Sequence, residues 1–323
     1  MSKLYLGIDL GGTTIKFGMV DEAGKVRKQW NIPTNIEDGG SHILPDMLDS
    51  IGNYLPKYAS DQVMGIGLGT PGTVDQVHGT VNGAFNLNWT TEQPLKEKIE
   101  SAFKIPFFVE NDANVAALGE RWVGAGENQN EVVFVTLGTG IGGGIIANGK
   151  LVHGIAGSGG EIGHIVVKPD GYPCTCGNRG CLETIASATG IARVGESFAG
   201  KYPESLLGEA AQKGKLNAKI VFDLAKSGDQ AAIEAVDYVT YYLAWGLGQV
   251  ADVLNPQYIV IGGGVSASGQ FLIDHINKFF PNFVFDNIKK TTSLRLAELG
   301  NDAGILGAAS LVRESLKEIE EGV

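Results

Sequence analysis

Residues 4–20 read LYLGIDLGGTTIKFGMV. Two apolar runs, Leu4–Leu10 and Ile15–Val20, flank the turn Gly11-Gly12-Thr13-Thr14. A second turn, Asp21-Glu22-Ala23-Gly24, leads into Val26–Ile32. Short apolar runs separated by turn residues read as an antiparallel β-meander. The plan returns at Val132–Leu137, which runs into Gly138-Thr139-Gly140, then Gly142–Ala147, the turn Asn148-Gly149, and a third run starting at Leu151–Val152. Chance similarity between two glycine-rich hairpins would also give this pattern. Both copies nevertheless set a glycine-threonine loop at the same topological point. The reading is a duplicated α/β domain with a cleft between the halves.

The remaining segments fill out that plan. Helical spacing marks Ile43–Leu55, Leu95–Phe103, Asn114–Val123, Asp223–Ala225, Ala231–Leu254, Phe271–Phe280 and Ala303–Leu316. Strand-like runs stand at Val63–Gly69, Ile105–Val109, Tyr258–Ile261 and Leu294–Ala297. A chain of 323 residues is long for one core, so two domains are expected. The net charge of −11 argues against nucleic acid as the main partner, since phosphate backbones need basic stripes. No apolar run is long enough for a membrane helix. Met1–Gly7 has no basic leader region, so a soluble cytoplasmic protein is expected. The 47 glycines cluster within and between apolar runs, which signals tight turns or close approach of a ligand to the backbone.

All three cysteines lie in Cys174-Thr-Cys176-Gly-Asn-Arg-Gly-Cys181, and His164 stands ten residues upstream. Three thiols and an imidazole are the ligand set of a closed, tetrahedral structural zinc site. Ordinary buried thiols, or one disulfide with a thiol left over, are the alternatives. Core cysteines have no reason to cluster among glycines and an arginine, and a reducing compartment disfavours the disulfide. Glu161 and Glu183 flank this group, so a metal that fixes the loop would also fix two carboxylates suited to vicinal hydroxyls.

Three glycine loops are candidate phosphate or nucleotide contacts: Asp9 with Gly11, Gly12, Thr13, Thr14 and Lys16; Gly138-Thr139-Gly140; and Gly262-Gly263-Gly264. Glycines let backbone N–H groups approach phosphate oxygens, and an acidic neighbour suits a Mg²⁺ shell. A ligand-free β-turn explains the first loop equally well, and helix–strand packing the third. Neither GxxxxGK[ST] nor the dinucleotide fingerprint is present. Glu110-Asn111-Asp112 closes an apolar strand, where a carboxylate can act as general base or simply cap the next helix.

Taken together, these residues resemble the ROK family of sugar kinases and repressors, within the actin-like ATPase superfamily. Asp9-Leu-Gly-Gly-Thr13, Gly69-Thr-Pro-Gly72, Glu110-Asn-Asp112, Gly138–Gly144 and Gly160-Glu-Ile-Gly-His164 stand in family order, and Cys174–Glu183 completes the zinc pattern. The likeness spans nearly the whole chain, and its zinc motif is the most specific part.

The resemblance implies two ribonuclease-H-like domains around a cleft, residues 1–112 with 303–323 and residues 113–302. It implies Asp112 as the base that deprotonates a sugar hydroxyl. Asn111, Glu161, His164 and Glu183 would hold the sugar, with Gly72 and Asn88 nearby. ATP with Mg²⁺ would lie against Gly11–Thr14, Gly138–Gly140 and Gly262–Gly264. Zn²⁺ would bind His164, Cys174, Cys176 and Cys181. The implied activity is an ATP-dependent glucokinase, with another hexose or N-acetylmannosamine as the alternative acceptor and a homodimer as the assembly. A sugar-sensing repressor is the competing class; its DNA-binding domain would precede the phosphate loop, which begins here at residue 9.

Overall fold

The computed structural model describes residues 3–58 and 62–322. The chain forms two compact units. The first comprises residues 1–128, 153–159 and 299–323; the second comprises 129–152 and 160–298.

In the first unit, β1 (Leu4–Leu10), β2 (Thr14–Asp21) and β3 (Val26–Pro33) form the expected meander. After β4 (Val63–Thr70), the short hairpin β5 (Thr73–Asp75) and β6 (Thr80–Asn82) precedes β7 (Phe107–Asn111). The main sheet has the order β3-β2-β1-β4-β7, with β1, β4 and β7 parallel. The central strands are almost wholly buried as nearly continuous apolar runs, whereas β3 carries only half-buried and exposed positions, as an edge strand does.

The second unit repeats this order. β8 (Val132–Leu137), β9 (Ile141–Ala147) and β10 (Lys150–Leu151) form the meander, and β11 (Tyr258–Gly262) and β12 (Ser293–Leu296) complete it. Its sheet order is β10-β9-β8-β11-β12, with β8, β11 and β12 parallel. The duplicated plan is therefore a property of the folded chain.

Glycines within the first sheet serve packing rather than a ligand. A Cβ on Gly7 would stand 3.0 Å from the Ala309 nitrogen, and one on Gly67 would stand 2.8 Å from the Ala308 carbonyl carbon. Both partners are backbone atoms of the C-terminal helix Ala303–Glu321, which the missing side chains let down onto the sheet. The helix thus packs within the first unit.

The first unit runs to Asn128 and resumes at Leu299, beyond the expected limits of 112 and 303. The reason is the helix Asp112–Val123, which packs on the C-terminal helix: a Cβ on Gly119 would lie 3.0 Å from the Gly307 nitrogen. Glu120, fully buried, accepts hydrogen bonds at 2.9 Å from the N–H groups of Ala125 and Leu299, pinning both ends of the boundary.

Several helices were not foreseen in the sequence. Ala188–Lys201 and Leu206–Gln212 are helical, and Ala218–Lys226 extends well beyond Asp223–Ala225. Gly190 and Gly195 lower the helical propensity of the first, but each faces a close neighbour: Ile185 backbone at 2.6 Å and the Val221 side chain at 2.7 Å from an added Cβ. Tertiary packing overrides propensity there. No helix among the described residues is long and apolar enough to cross a membrane.

Candidate active site and metal centre

In the first unit, the parallel strands bring distant motifs to one edge of the sheet. Asp9 pairs in register with Gly69, Gly69 with Glu110, and Thr70 with Asn111. The loops that follow these three strands are Gly11–Thr13, Pro71–Gly72 and the start of the helix at Asp112. Ligands of open α/β sheets sit beyond the carboxyl ends of such strands.

The β1–β2 hairpin is tight: Gly11 N–H donates to the Thr14 carbonyl at 3.1 Å, and the Thr34 hydroxyl donates to the Gly11 carbonyl at 2.6 Å. Lys16 lies across from Asp9, with Nζ 3.3 Å from Oδ2, so the loop carries a half-buried ion pair at its base. Asp9 also rests against the C-terminal helix, where a Cβ on Gly304 would stand 2.5 Å from its carboxyl carbon. Gly72 has φ +97° and sits under Asn82 and Ala84, so no other residue fits that turn. Asn88, at φ +58°, donates from Nδ2 to the Ile36 carbonyl at 2.9 Å.

Asn111 is extended and caps the helix, its Oδ1 accepting from Ala113 N–H at 2.9 Å. Asp112 is the first helical residue and is exposed; its Oδ1 accepts from the same N–H at 2.8 Å. The amino end of a helix favours negative charge, so the position suits a carboxylate that must be ionised to take a proton.

Beneath this junction lies Glu110, only 2% exposed. Its Oε1 accepts from Asn111 N–H at 2.7 Å and from Asn114 Nδ2 at 2.9 Å. Its Oε2 accepts from Gln76 Nε2 and from His153 Nε2, the latter at 2.8 Å. Gln76, Asn114 and His153 carried no signal in the sequence, because two of these pairings span 34 and 43 residues.

In the second unit, the β8–β9 hairpin holds Gly138-Thr139-Gly140. Gly138 N–H donates to the Gly140 carbonyl at 3.0 Å, and the Thr189 hydroxyl donates to the Thr139 carbonyl at 3.1 Å. A Cβ on Gly140 would stand 2.8 Å from Glu183 Oε2, which brings this loop beside the metal-loop carboxylate. The triple glycine after β11 divides by position. Gly262 packs on the Phe134 ring and Gly263, at φ +81°, on the Leu137 backbone, whereas nothing lies within 4 Å of a Cβ on Gly264. Packing accounts for the first two, and an open backbone cradle remains at the third.

The ligand atoms of His164, Cys174, Cys176 and Cys181 all lie within 4.8 Å of one another. Cys176 Sγ and Cys181 Sγ are 3.6 Å apart, and Cys174 Sγ is 3.5 Å from His164 Nδ1. Tetrahedral bonds of about 2.3 Å to sulfur and about 2.0 Å to nitrogen give edges of roughly 3.5–3.8 Å, so the donors fit zinc. The thiols are tuned unevenly. Burial pushes Cys181 up to about 12, while the Asn178 backbone N–H, aided by Cys174, brings Cys176 down to about 7. A divalent cation bound here would stabilise all three as thiolates.

His164 Nε2 faces the other way, 3.9 Å from Glu161 Oε2, and Glu183 Oε1 lies 3.1 Å from Cys174 Sγ. The cluster therefore holds Glu183 by a hydrogen bond from Cys174 and has Glu161 nearby, the two carboxylates that the sequence singled out.

Two sheets of identical order, each with a glycine-threonine hairpin after its first strand, define an α/β protein of the actin-like ATPase fold. The ROK family model matches residues 5–315, and the chain belongs to that family. It is 44% identical to a glucokinase of Halalkalibacterium halodurans, over 98% of this chain and 97% of that one. A glucokinase of Thermotoga maritima is 38% identical, over 98% and 99% respectively. The crystal structure of a ROK family glucokinase from Streptomyces griseus with glucose and AMPPNP superposes with a TM-score of 0.77 at 35% identity, covering 96% of this chain and 99% of that one.

Proposed function

We propose that this protein is an ATP-dependent glucokinase, which transfers the γ-phosphoryl group of ATP to the 6-hydroxyl of glucose and gives glucose 6-phosphate and ADP. The observation that carries this reading is the exposed carboxylate of Asp112 at a helix start, in a chain similar along its full length to glucokinases. The S. griseus relative holds glucose and AMPPNP, which supports the same ligand pair here.

Asp112 accepts the proton as the sugar oxygen bonds to the γ-phosphorus and the bond to the leaving ADP oxygen breaks. Asn111, Glu161, His164 and Glu183 bind the sugar hydroxyls, with Gly72 and Asn88 shaping the neighbouring loops. Asp9, Gly11, Gly12, Thr13, Thr14 and Lys16, with Gly138, Thr139, Gly140, Gly263 and Gly264, bind ATP. Mg²⁺ carried with ATP neutralises phosphate charge. Positioning and charge neutralisation supply most of the catalysis in such transfers. His164, Cys174, Cys176 and Cys181 would hold a structural Zn²⁺, which would fix the loop that carries Glu161 and Glu183. The family resemblance supports a cytoplasmic homodimer.

The test is ADP release with Mg-ATP across glucose, N-acetylmannosamine, mannose and fructose, with Asp112→Asn in parallel. Turnover dominated by glucose and abolished in Asp112→Asn is expected. A preference for N-acetylmannosamine would overturn the acceptor, and turnover by Asp112→Asn would overturn the base.

A further inference from the structure

Glu110 does more than a buried helix-cap carboxylate needs to do. Its four accepted hydrogen bonds fill the capacity of an ionised carboxylate. Two donors are local, the Asn111 N–H and the Asn114 amide. The other two come from separate segments: Gln76 from the β5–β6 hairpin, and His153 from the irregular stretch His153–Gly159. That stretch carries left-handed Gly154 and Gly157 and a fully exposed Ile155, so little apolar burial holds it down. Its imidazole is a polar anchor to Glu110.

We propose that Glu110 and His153 form a positioning pair for the reaction. The carboxylate fixes the strand-to-helix junction that presents Asn111 and Asp112, and His153 locks the segment His153–Gly159 onto that junction. This inference rests on the reading of Asp112 as the base. The carboxylate acts through the Asn111 N–H, one residue before Asp112, so a shift of Glu110 moves the base directly. His153 Nε2 faces Glu110 Oε2 at 2.8 Å, where an imidazole N–H donates to the carboxylate. Neither residue touches the reacting atoms; their role is geometric.

The test compares His153→Phe, which keeps ring volume without a donor, with His153→Gln, which restores an N–H near the Nε2 position. Misplacing a catalytic group by about 1 Å costs roughly 100-fold in rate. The expected result is a fall of that order in kcat for His153→Phe, with KM for ATP unchanged, and recovery of most of it in His153→Gln. Hydrogen exchange across Phe107–Val115 should accelerate in His153→Phe and return to the parent rate in His153→Gln. Parent-like kcat and exchange in His153→Phe would overturn the proposal, as would a His153→Gln variant as impaired as His153→Phe. Should His153→Phe fail to fold, Gln76→Leu removes the other distant donor and reads the same quantities. If the parent itself phosphorylates no sugar, the kinase reading fails, and the exchange comparison still decides whether the pair holds the junction.

Discussion

Replacing Gly67 by alanine tests the claim that glycines in the first sheet exist to seat the C-terminal helix. Gly67 lies in β4 and its φ is not left-handed, so alanine fits the strand itself. Such a change normally stabilises by about 0.4–1 kcal/mol through the unfolded chain. Here the new Cβ would lie 2.8 Å from the Ala308 carbonyl carbon and 2.9 Å from Val312 Cγ2, with the Ala308 oxygen closer still, whereas ordinary contact begins near 3.4 Å. A helix backbone must retreat by more than about half an ångström, and overpacking of this kind costs about 1–3 kcal/mol. Because the obstructing atoms are backbone, the upper part of that range applies. The net loss is about 2 kcal/mol, or a Tm lower by roughly 4–8 °C. Gly52, in the helix Ile43–Tyr54, is the control: an added Cβ meets only the Phe103 ring at 3.9 Å. Gly52→Ala should gain about 1 kcal/mol. Thermal and urea unfolding of both variants measures the contrast. A neutral or stabilising Gly67→Ala would refute the argument that the helix needs this glycine.

Three further outcomes follow from the structure. Cys176→Ser removes the most exposed thiol of the cluster and should drop zinc content from about one ion per chain towards zero, read by elemental analysis; full metal retention would break the ligand assignment. Glu120→Gln sets an amide N–H against the N–H of Ala125 or Leu299, a buried donor facing a donor. It should lower stability by about 2–4 kcal/mol in urea unfolding, and a midpoint equal to the parent's would refute the latch. Asp21, 4% exposed, is pushed up by burial but held below the ordinary carboxylate range overall by the N–H groups of Lys25 and Ala23 and the Arg27 guanidinium. Its depressed folded value adds stability above the unfolded value, and this is lost as pH falls through the folded one. The stability gap between the parent and Asp21→Asn should therefore be widest near neutrality and close in acid; a gap independent of pH would contradict it.

The parts of this molecule that were legible in the sequence are those whose signal is local. Each meander announces itself by a glycine-threonine turn between apolar runs, and the cluster of His164 with three thiols by cysteine spacing. The helix Ala188–Lys201 hides because Gly190 and Gly195, unfavourable by propensity, are required by what packs on them. The strand β7 ends two residues later than its apolar run, since Glu110 and Asn111 remain in the ladder opposite Gly69 and Thr70. Polar residues in strand register look like a loop until their partners are known. Strand glycines mislead in the opposite direction: glycine within apolar runs signals a tight turn or the approach of a ligand, but at Gly7 and Gly67 a helix takes that space.

The register explains why chemistry gathers where it does. Parallel pairing of β1, β4 and β7 aligns Asp9, Gly69 and Glu110 across the sheet, although 60 residues or more separate the first from the others. Whatever follows each strand must then emerge at the same edge. Side chains before that edge are buried and fixed, so the loops beyond it start from a rigid base, as a near-attack geometry requires. Glu110 stands at the changeover. It is the last buried residue of its strand, and its hydrogen bonds pass that rigidity one residue further, to the junction that carries Asn111 and Asp112. The second unit reaches the same end by other means, since Glu161 and Glu183 stand on irregular chain and at a one-turn helix, where no sheet register can hold them. There a cluster of four side chains, His164, Cys174, Cys176 and Cys181, stands beside both carboxylates, with Glu183 Oε1 3.1 Å from Cys174 Sγ and Glu161 Oε2 3.9 Å from His164 Nε2.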